Sequence, residues 1–596
     1  MSVIPQRPGG WWHDYVCPTH GTELVGNDGD DHLCSAGCRL RGDRYDGAFL
    51  ALEHQSLARE ARAAAHRFRR DGSDADRDRA CELVLAYADL AARITAHGWS
   101  EKSEPWMLRG KLFAQALSEA QWAVGIADAI IALGPLSALT GSARLREMLD
   151  GLAATISDAR RILVVDRDDP RSNYTAWLDA AGRLIALAQH RLGGPAPAPQ
   201  FEEAVYAHMQ IAVHSDGWEW EASTYYHVFV LRAYLLALRD VDPASIPADS
   251  LRVLRSMVDV LILIAAPDGF LPAMHDGPFD RVLMHREVLE IAVLSAQLLG
   301  DSGMDTIEAW ARDRLGEEHD GLEDTLDQWF AGAPVATTPA RAGSTHFVNA
   351  GYVVLRSADD RLHAVLDAGP HGGAHGHLDK LGLYLYGNGE RWQPAPGVPP
   401  YASALRHGYY ARTIAHPTVR VDGADQSEAT AEVIAWDAER SSVVTRADDA
   451  IEGVDFGRAV QLHGDLLVDV VRVRVRSGAD KQISLGLRPG VEATVTADGD
   501  QWHSTWGAGS EQLVGVHRAS AASALSLSPG RGPSDDPSRL LHVADWSAHT
   551  SAIVFVSVYQ LSSADPAQIL RIRDESTAVH IDIHASDSPT QIEVPL

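Results

Sequence analysis

Within nine residues, His371-Gly-Gly-Ala-His375-Gly-His377-Leu-Asp379 places three imidazoles and a carboxylate on a run loosened by glycine. Imidazole changes charge near neutral pH and is a frequent metal ligand. Glycine lets the backbone curl so that neighbouring rings can share one cavity. The same composition would also suit a solvated loop. A second cluster, Cys17-x2-His20 followed by Cys34-x3-Cys38, has the spacing of a tetrahedral Cys3His zinc site. Unligated thiols in a folded N-terminal cap are the alternative there. The fourth cysteine, Cys81, falls in an apolar helical segment and reads as a small buried hydrophobe. Arg406, His407, Tyr409, Tyr410 and Arg412 mix cations with rings. They could grip an acidic sugar by charge and stacking, or form a solvated loop.

Two kinds of element must position these residues. From about residue 48 to 330, apolar residues recur at three- and four-residue spacing in Arg79–Ile94, Leu112–Leu133, Leu145–Leu163, Trp177–Leu192, Tyr225–Leu238 and Leu251–Ala265. About ten antiparallel helices fit a bundle, solenoid or toroid. The Pro/Gly/Thr-rich stretch 331–343 marks a boundary. Beyond it the period changes to two, in Tyr352–Arg356, His363–Leu366, Leu383–Tyr386, Thr418–Val421, Leu466–Val475, Ile483–Leu487, Val491–Thr496, Ile553–Val558, Ile569–Arg573 and Val579–Ile583. Many short strands without intervening helices predict an antiparallel sandwich. The chain thus divides into a cap with the Cys/His cluster at 1–47, a helical domain at 48–332 and a β domain at 345–596. The histidine run lies near their junction, a favoured place for a small-molecule cleft.

Composition narrows the function. With 596 residues, 45% hydrophobic and 22% charged, the chain is an ordinary globular protein of more than one domain. Its formal net charge of −29, from 52 basic against 81 acidic residues, and the lack of a basic run argue against nucleic acid. An anionic ligand would need a local group of cations. No apolar signal core opens the sequence, and no stretch stands out as a membrane span, so a cytoplasmic protein working on imported fragments is expected.

The order of several motifs resembles the heparinase II/III-like polysaccharide lyases. These are Gly372-Gly-Ala-His375-Gly-His377-Leu-Asp379-Lys-Leu381, Asp216-Gly-Trp-Glu-Trp-Glu221-Ala-Ser-Thr-Tyr225-Tyr226-His227, Pro267-Asp268-Gly-Phe-Leu-Pro272 and Arg412-Thr-Ile-Ala-His416-Pro-Thr-Val. His13-Asp-Tyr15-Val-Cys17-Pro-Thr-His20-Gly, with Cys34 and Cys38, is similar more narrowly to the branch of exolytic oligoalginate lyases and exo-heparinases, polysaccharide lyase family 15. The resemblance implies an α+β multidomain fold, an N-terminal α/α toroid followed by a C-terminal antiparallel β-sandwich. It implies β-elimination at a uronic acid of an acidic oligosaccharide, glycosaminoglycan-type or alginate-type, from a chain end. Tyr226, Asn173 and His375 then take the catalytic positions. Asn173 would stabilise the sugar carboxylate, with a bare helix cap as its alternative role. Tyr226, its phenol lowered by His227 or His375, would move protons, and His375 would contact or position the carboxylate. Tyr174, His227, Glu221, His371, Arg406, Tyr410 and Arg412 are the expected substrate-binding residues. This chemistry requires no cofactor, while Cys17, His20, Cys34 and Cys38 leave room for a structural zinc.

Two positions depart from the family pattern. Tyr174 stands where relatives often have histidine after the asparagine, which would shift proton traffic to Tyr226 unless Tyr174 is itself a base. Several relatives bind zinc in the sandwich through two histidines and an Asp-Pro-Gly aspartate. His377 and His416 correspond to the histidines, but the turn reads Ala395-Pro-Gly, so a tightly held ion is not expected unless Asp379, His371 or water completes it. Two other classes fit parts of the sequence. A glycoside hydrolase would need two opposed carboxylates, for which Glu219, Glu221 and Asp276 are available. An inactive sugar-binding protein would need only the aromatic-basic cluster.

Overall fold

The computed structural model describes residues 3–94, 107–134, 141–316, 343–509, 511–561, 567–575, 578–585 and 588–595. The expected boundary stretch 331–343, except Gly343, lies outside them.

Among the described residues ten long helices fill the first half: α1 Asp43–Asp71, α2 Asp74–Ala91, α3 Ala116–Leu133, α4 Ser142–Arg161, α5 Asn173–Arg191, α6 Gln200–Ala212, α7 Thr224–Leu238, α8 Ala248–Ile264, α9 Val282–Leu299 and α10 Asp305–Leu315. The odd-numbered helices pack on one another in sequence, and the even-numbered ones cover their outer side. Small residues permit the close approach of α1 and α3. Ala51, Ala58, Ala61 and Ala65 are buried on α1, and a Cβ on Gly125 of α3 would meet Ala58 at 3.4 Å. The inner layer curls back on itself through buried ions. Arg62 of α1 bridges Asp128 of α3 and Glu290 of α9, and Asp128 also receives Arg239 and His66. Charges this deep persist only when paired in this way. The α3 helix, Ala116–Leu133, has the length and apolarity of a membrane span, contrary to the expectation that none would, and 89% of it is buried inside the fold.

The second half is antiparallel β-sheet. An eight-stranded sheet faces a five-stranded meander (residues 345–393) and a four-stranded sheet, with Val353, Leu366, Leu383, Ile483, Phe456, Val471 and Phe555 in the core between them. A three-stranded C-terminal sheet covers the outer face of the large sheet through Ile569, Val579 and Ile581 against Val468, Val470 and Val556. The meander is buried on both faces. Val353, Leu355, Leu383 and Leu385 point into the sandwich, while Tyr352, Val354, Tyr384 and Tyr386 alternate with them and join the helical core. That double burial explains why Tyr352–Arg356 and Leu383–Gly387 read as nearly continuous apolar runs. The histidine run occupies the connection between the meander strands His363–Asp367 and Leu383–Gly387, and so hangs from the sheet directly over the helices.

Candidate active site

A cleft of about 740 Å³ opens where the helices meet the meander. Three loops and two helix starts supply its polar groups. Asn173 begins α5 and Tyr226 sits in the first turn of α7. The caps are the preceding serines, whose hydroxyls accept from Tyr174 N and Tyr226 N at 3.4 Å. Asn173 is therefore not the cap itself, and its side chain is turned into the site. Glu221 comes from the loop before α7, where Ala222 takes φ +53°. His375 descends from the β half on a loop that only glycine can form. Gly372 has φ +85°, and a Cβ there would lie 2.6 Å from Glu221 O; one on Gly376 would lie 1.7 Å from His371 O.

The four side chains form one array. Glu221 Oε1 lies 2.5 Å from His375 Nδ1, and Glu221 Oε2 accepts from Asn173 Nδ2 at 3.2 Å. His375 stacks on the Tyr226 ring with centroids 3.8 Å apart and 19° between planes. Tyr226 Oη lies 2.6 Å from Tyr401 Oη, and the Arg406 guanidinium covers the Tyr401 ring at 3.7 Å. His13 stacks on Tyr401 at 4.4 Å and on Trp12 at 3.6 Å. A neutral His375 that donates from Nδ1 to Glu221 keeps its Nε2 lone pair for the cleft.

Electrostatics set the resting protonation. Burial pushes the Tyr226 phenol well above its ordinary value; the Tyr401 hydrogen bond opposes this, and the charges of Glu221 and Asp276 add to it. The expected lowering by His227 is absent because His227 faces the core, where it accepts from Glu219 N at 3.2 Å and donates to Met257 O at 2.8 Å. Burial holds His227 down at about 4, so it carries no positive charge near neutral pH. Tyr226 is therefore a protonated phenol near neutral pH, a group that can give a proton rather than take one. Burial also pushes Tyr174 upward; its oxygen accepts from Gln115 Nε2, and it lines the cleft beside Asn173.

The remaining expected residues divide between the cleft and its surroundings. Glu221 and Tyr174 line the cleft. Arg406 stands behind Tyr401, paired with Asp276. His227 is not a substrate contact, being fully buried. His371 lies outside the cleft lining, and Tyr410 is buried with its hydroxyl on Gly532 O at 3.0 Å. Arg412 turns outward to Asp425 at 2.5 Å. The aromatic-basic cluster is thus dispersed, since Arg406, His407, Tyr409 and Tyr410 share one helical turn and Arg412 lies just beyond it, so their side chains point in different directions. Tyr401, His13, Trp12 and Trp220 line the cleft without having been expected. Trp220 and His13 fall within the motifs quoted above without having been assigned a role, and the only signals for the other two are the stiff Pro399-Pro400 pair before Tyr401 and the bare Trp11-Trp12 pair.

The hydrolase candidates do not form an opposed pair. Glu219 is fully buried, its carboxylate accepts from Glu221 N at 3.0 Å, and burial followed by the Glu221 charge pushes it well above the carboxylate range. Asp276 is locked between His377 at 3.1 Å and Arg406; burial alone would raise it, but these partners hold it at about 2. Of the three, Glu221 alone lines the cleft.

Behind the array, His377, Asp379 and His416 bring their ligating atoms within 4.8 Å of one another, so Asp379 occupies the corner that Ala395 cannot fill. His377 Nδ1 and Asp379 Oδ1 are buried without a hydrogen-bond partner, a donor set of the kind zinc takes. The other contacts there are satisfied internally, by Tyr384 Oη to Asp379 at 2.7 Å and His416 Nε2 to Tyr410 O at 2.8 Å. An ion held by these three residues would brace the loop that carries His375.

Comparison with known proteins bears on the fold. The heparinase II/III N-terminus family matches residues 202–294, and the heparinase II/III-like C-terminal family matches residues 339–521. Over these two stretches the chain is similar to the heparinase II/III-like family. A curated alginate lyase of Stenotrophomonas maltophilia (strain K279a) is 24% identical over 485 residues, covering 72% of this chain and 61% of that protein. Among solved structures, a mutant of the heparan sulfate lyase HepC from Pedobacter heparinus superposes with TM-score 0.63 at 16% identity, covering 96% of this chain and 87% of that one. A heparinase III structure gives 0.63 at 15% identity, covering 89% and 81%. These likenesses establish the helical domain followed by a β-sandwich as the shared fold.

Proposed function

We propose that this heparinase II/III-like protein is a polysaccharide lyase that cleaves uronate-containing oligosaccharides by β-elimination. The observation that carries the reading is the stacked Tyr226–His375 pair, held by Glu221 and Asn173 on one side and Tyr401 on the other, in a cleft lined by aromatic rings. The second N–H of Asn173 is directed to the sugar carboxylate and stabilises the charge that builds there as C5 is deprotonated. His375 Nε2 takes the C5 proton, with Glu221 stabilising the imidazolium. The C5–H electrons form the C4–C5 double bond, the C4–O4 bond breaks, and O4 takes the Tyr226 proton. Tyr401 is placed to return a proton to Tyr226. Because the two rings are stacked, acid and base act from one side, which fits a uronate whose C5 hydrogen and O4 share a face.

The polymer, glycosaminoglycan or alginate, belongs to the same proposal, as does attack at a chain end. Support for the latter is the N-terminal segment, whose Trp12, His13 and Glu23 form a wall of the cleft beside the reacting tyrosine. The test is ultraviolet absorbance during incubation with alginate, heparan, chondroitin and hyaluronan oligosaccharides, with product sizes read in parallel. Growth of the conjugated-enoate band with one polymer, lost in Tyr226→Phe, is the expected result. New reducing ends without that band would overturn the reading in favour of hydrolysis.

A further inference from the structure

The N-terminal cysteine cluster lies outside the cleft and is not used by the chemistry above. Cys17, Cys34 and Cys38 each place Sγ 3.5 Å from the same atom, His20 Nδ1. All four ligating atoms lie within 4.8 Å of one another. With Zn–S near 2.3 Å and Zn–N near 2.0–2.1 Å, the S···N edge of a tetrahedron is roughly 3.5 Å. Three equal edges meeting at one nitrogen are therefore the dimensions of an ion-centred tetrahedron. A disulfide would instead bring two sulfurs to about 2.05 Å and leave the third apart, and all three cysteines are free thiols here. The surroundings suit thiolates. Ala36 N–H is directed at Cys34 Sγ at 3.4 Å, and the Thr22 hydroxyl lies 3.5 Å from the same sulfur. Such outer contacts orient the ligands of a metal site.

We propose that Cys17, His20, Cys34 and Cys38 hold a structural zinc ion, and that this ion fixes the N-terminal wall of the cleft. The three-stranded sheet Leu24–Leu40 that carries two of the ligands has few apolar residues of its own. Its small core consists of Tyr15, Cys17, Leu24 and Cys34 packed against Ala48, Phe49 and Leu52 of α1. A unit of this size needs a staple beyond its core. The same loop reaches the site from two directions. Trp12 and His13 precede Cys17 by a few residues and stack toward Tyr401, and Glu23 follows His20 and pairs with Arg281 at 3.0 Å in the cleft. Gly21 is pressed against Leu405, where a Cβ would come within 2.6 Å, so the loop also supports the segment that bears Tyr401 and Arg406.

The full chain is to be purified without added metal and its zinc measured by plasma emission. The expected result is one equivalent per chain that p-hydroxymercuribenzoate releases as the thiols react. Exchange with cobalt(II) should give tetrahedral visible bands and a thiolate-to-cobalt charge-transfer band in the near ultraviolet. His377, Asp379 and His416 contain no sulfur and cannot produce that band. The double variant Cys34→Ser/Cys38→Ser should lose this equivalent and the band. If that variant does not fold, the mercurial and cobalt readouts on the unaltered chain decide alone. A chain whose thiols all react without metal release, and which shows no charge-transfer band on cobalt titration, would overturn the proposal. So would zinc retained in full by the folded double variant.

Discussion

His375 and His377 stand two residues apart on one loop, and each faces a carboxylate, Glu221 at 2.5 Å and Asp276 at 3.1 Å. They nevertheless belong to different worlds. The His375 side chain is 15% exposed and stacks on Tyr226 in the open cleft. His377 is wholly buried, among Asp276, Asp379 and His416. His375 ends the short helical turn Gly373–His375 and His377 follows the extended residue Gly376, so the two rings stand on either side of a change in backbone conformation. An imidazole–carboxylate pair is thus not a mark of catalysis by itself. In the function proposed above, access to a ligand on the far nitrogen is what distinguishes the His375 pair, while enclosure makes the other a strut.

This contrast can be broken most sharply at the cleft. Tyr226→Phe removes the proposed acid and should lower kcat by about 10⁴-fold, the upper range for a proton-transfer group, with the melting temperature unchanged. On the buried side the effect should reverse. Lys380 is wholly enclosed and donates to Asp367 at 2.6 Å, with Asp379 3.8 Å away. Lys380→Met leaves two buried carboxylates without their ammonium and should cost about 3–5 kcal/mol in denaturant unfolding. Next, Glu221→Gln keeps the shape of the array but removes the charge that supports an imidazolium. A loss of about 10²-fold in kcat, roughly 2.7 kcal/mol, is expected with little change in KM. A loss confined to KM would instead make Glu221 a binding residue.

The smallest effect is one of pH. Burial holds His227 and His208 at about 4 and His517 at about 3, below the ordinary histidine value of about 6.5. The unfolded chain therefore binds more protons than the folded one between those limits. Stability is complete above about pH 6.5 and should fall steadily as pH drops toward 4. Thermal melts at pH 7, 6, 5 and 4 should show a progressive decrease, and a flat profile would contradict the buried neutral state of these rings.

Much of this was legible in the residues. Helices α5 and α7 are legible as long apolar segments between breaks, α7 being buried almost all round, and the period of two marks Leu466–Val475 to the residue. Val454–His463 escapes because Arg458 and Gln461 interrupt its apolar pattern; Arg458 is in fact buried, forked on Asp469 of the next strand at 2.7 Å. Asn173, Glu221, Tyr226 and His375 could be named through the family resemblance, which rests on the order and joint presence of several motifs that are each weak alone. Tyr401 could not, since its hydroxyl partner is 175 residues away and nothing local requires it. His227 illustrates the opposite error. Adjacency to Tyr226 in sequence suggested a shared site, but neighbours on a helix point about 100° apart, and this ring turns inward.

The meander sheet, buried on one face by the sandwich and on the other by the helices, belongs to two hydrophobic cores at once. The change of period in the sequence is therefore not a seam along which the molecule comes apart. Removing either half would strip a face bearing Tyr352, Tyr384 and Tyr386, or Leu355, Leu383 and Leu385, into water. Heat absorbed on melting should then appear as one cooperative event rather than two, and a destabilising change deep in the β half would be felt by the helices that hold Asn173 and Tyr226.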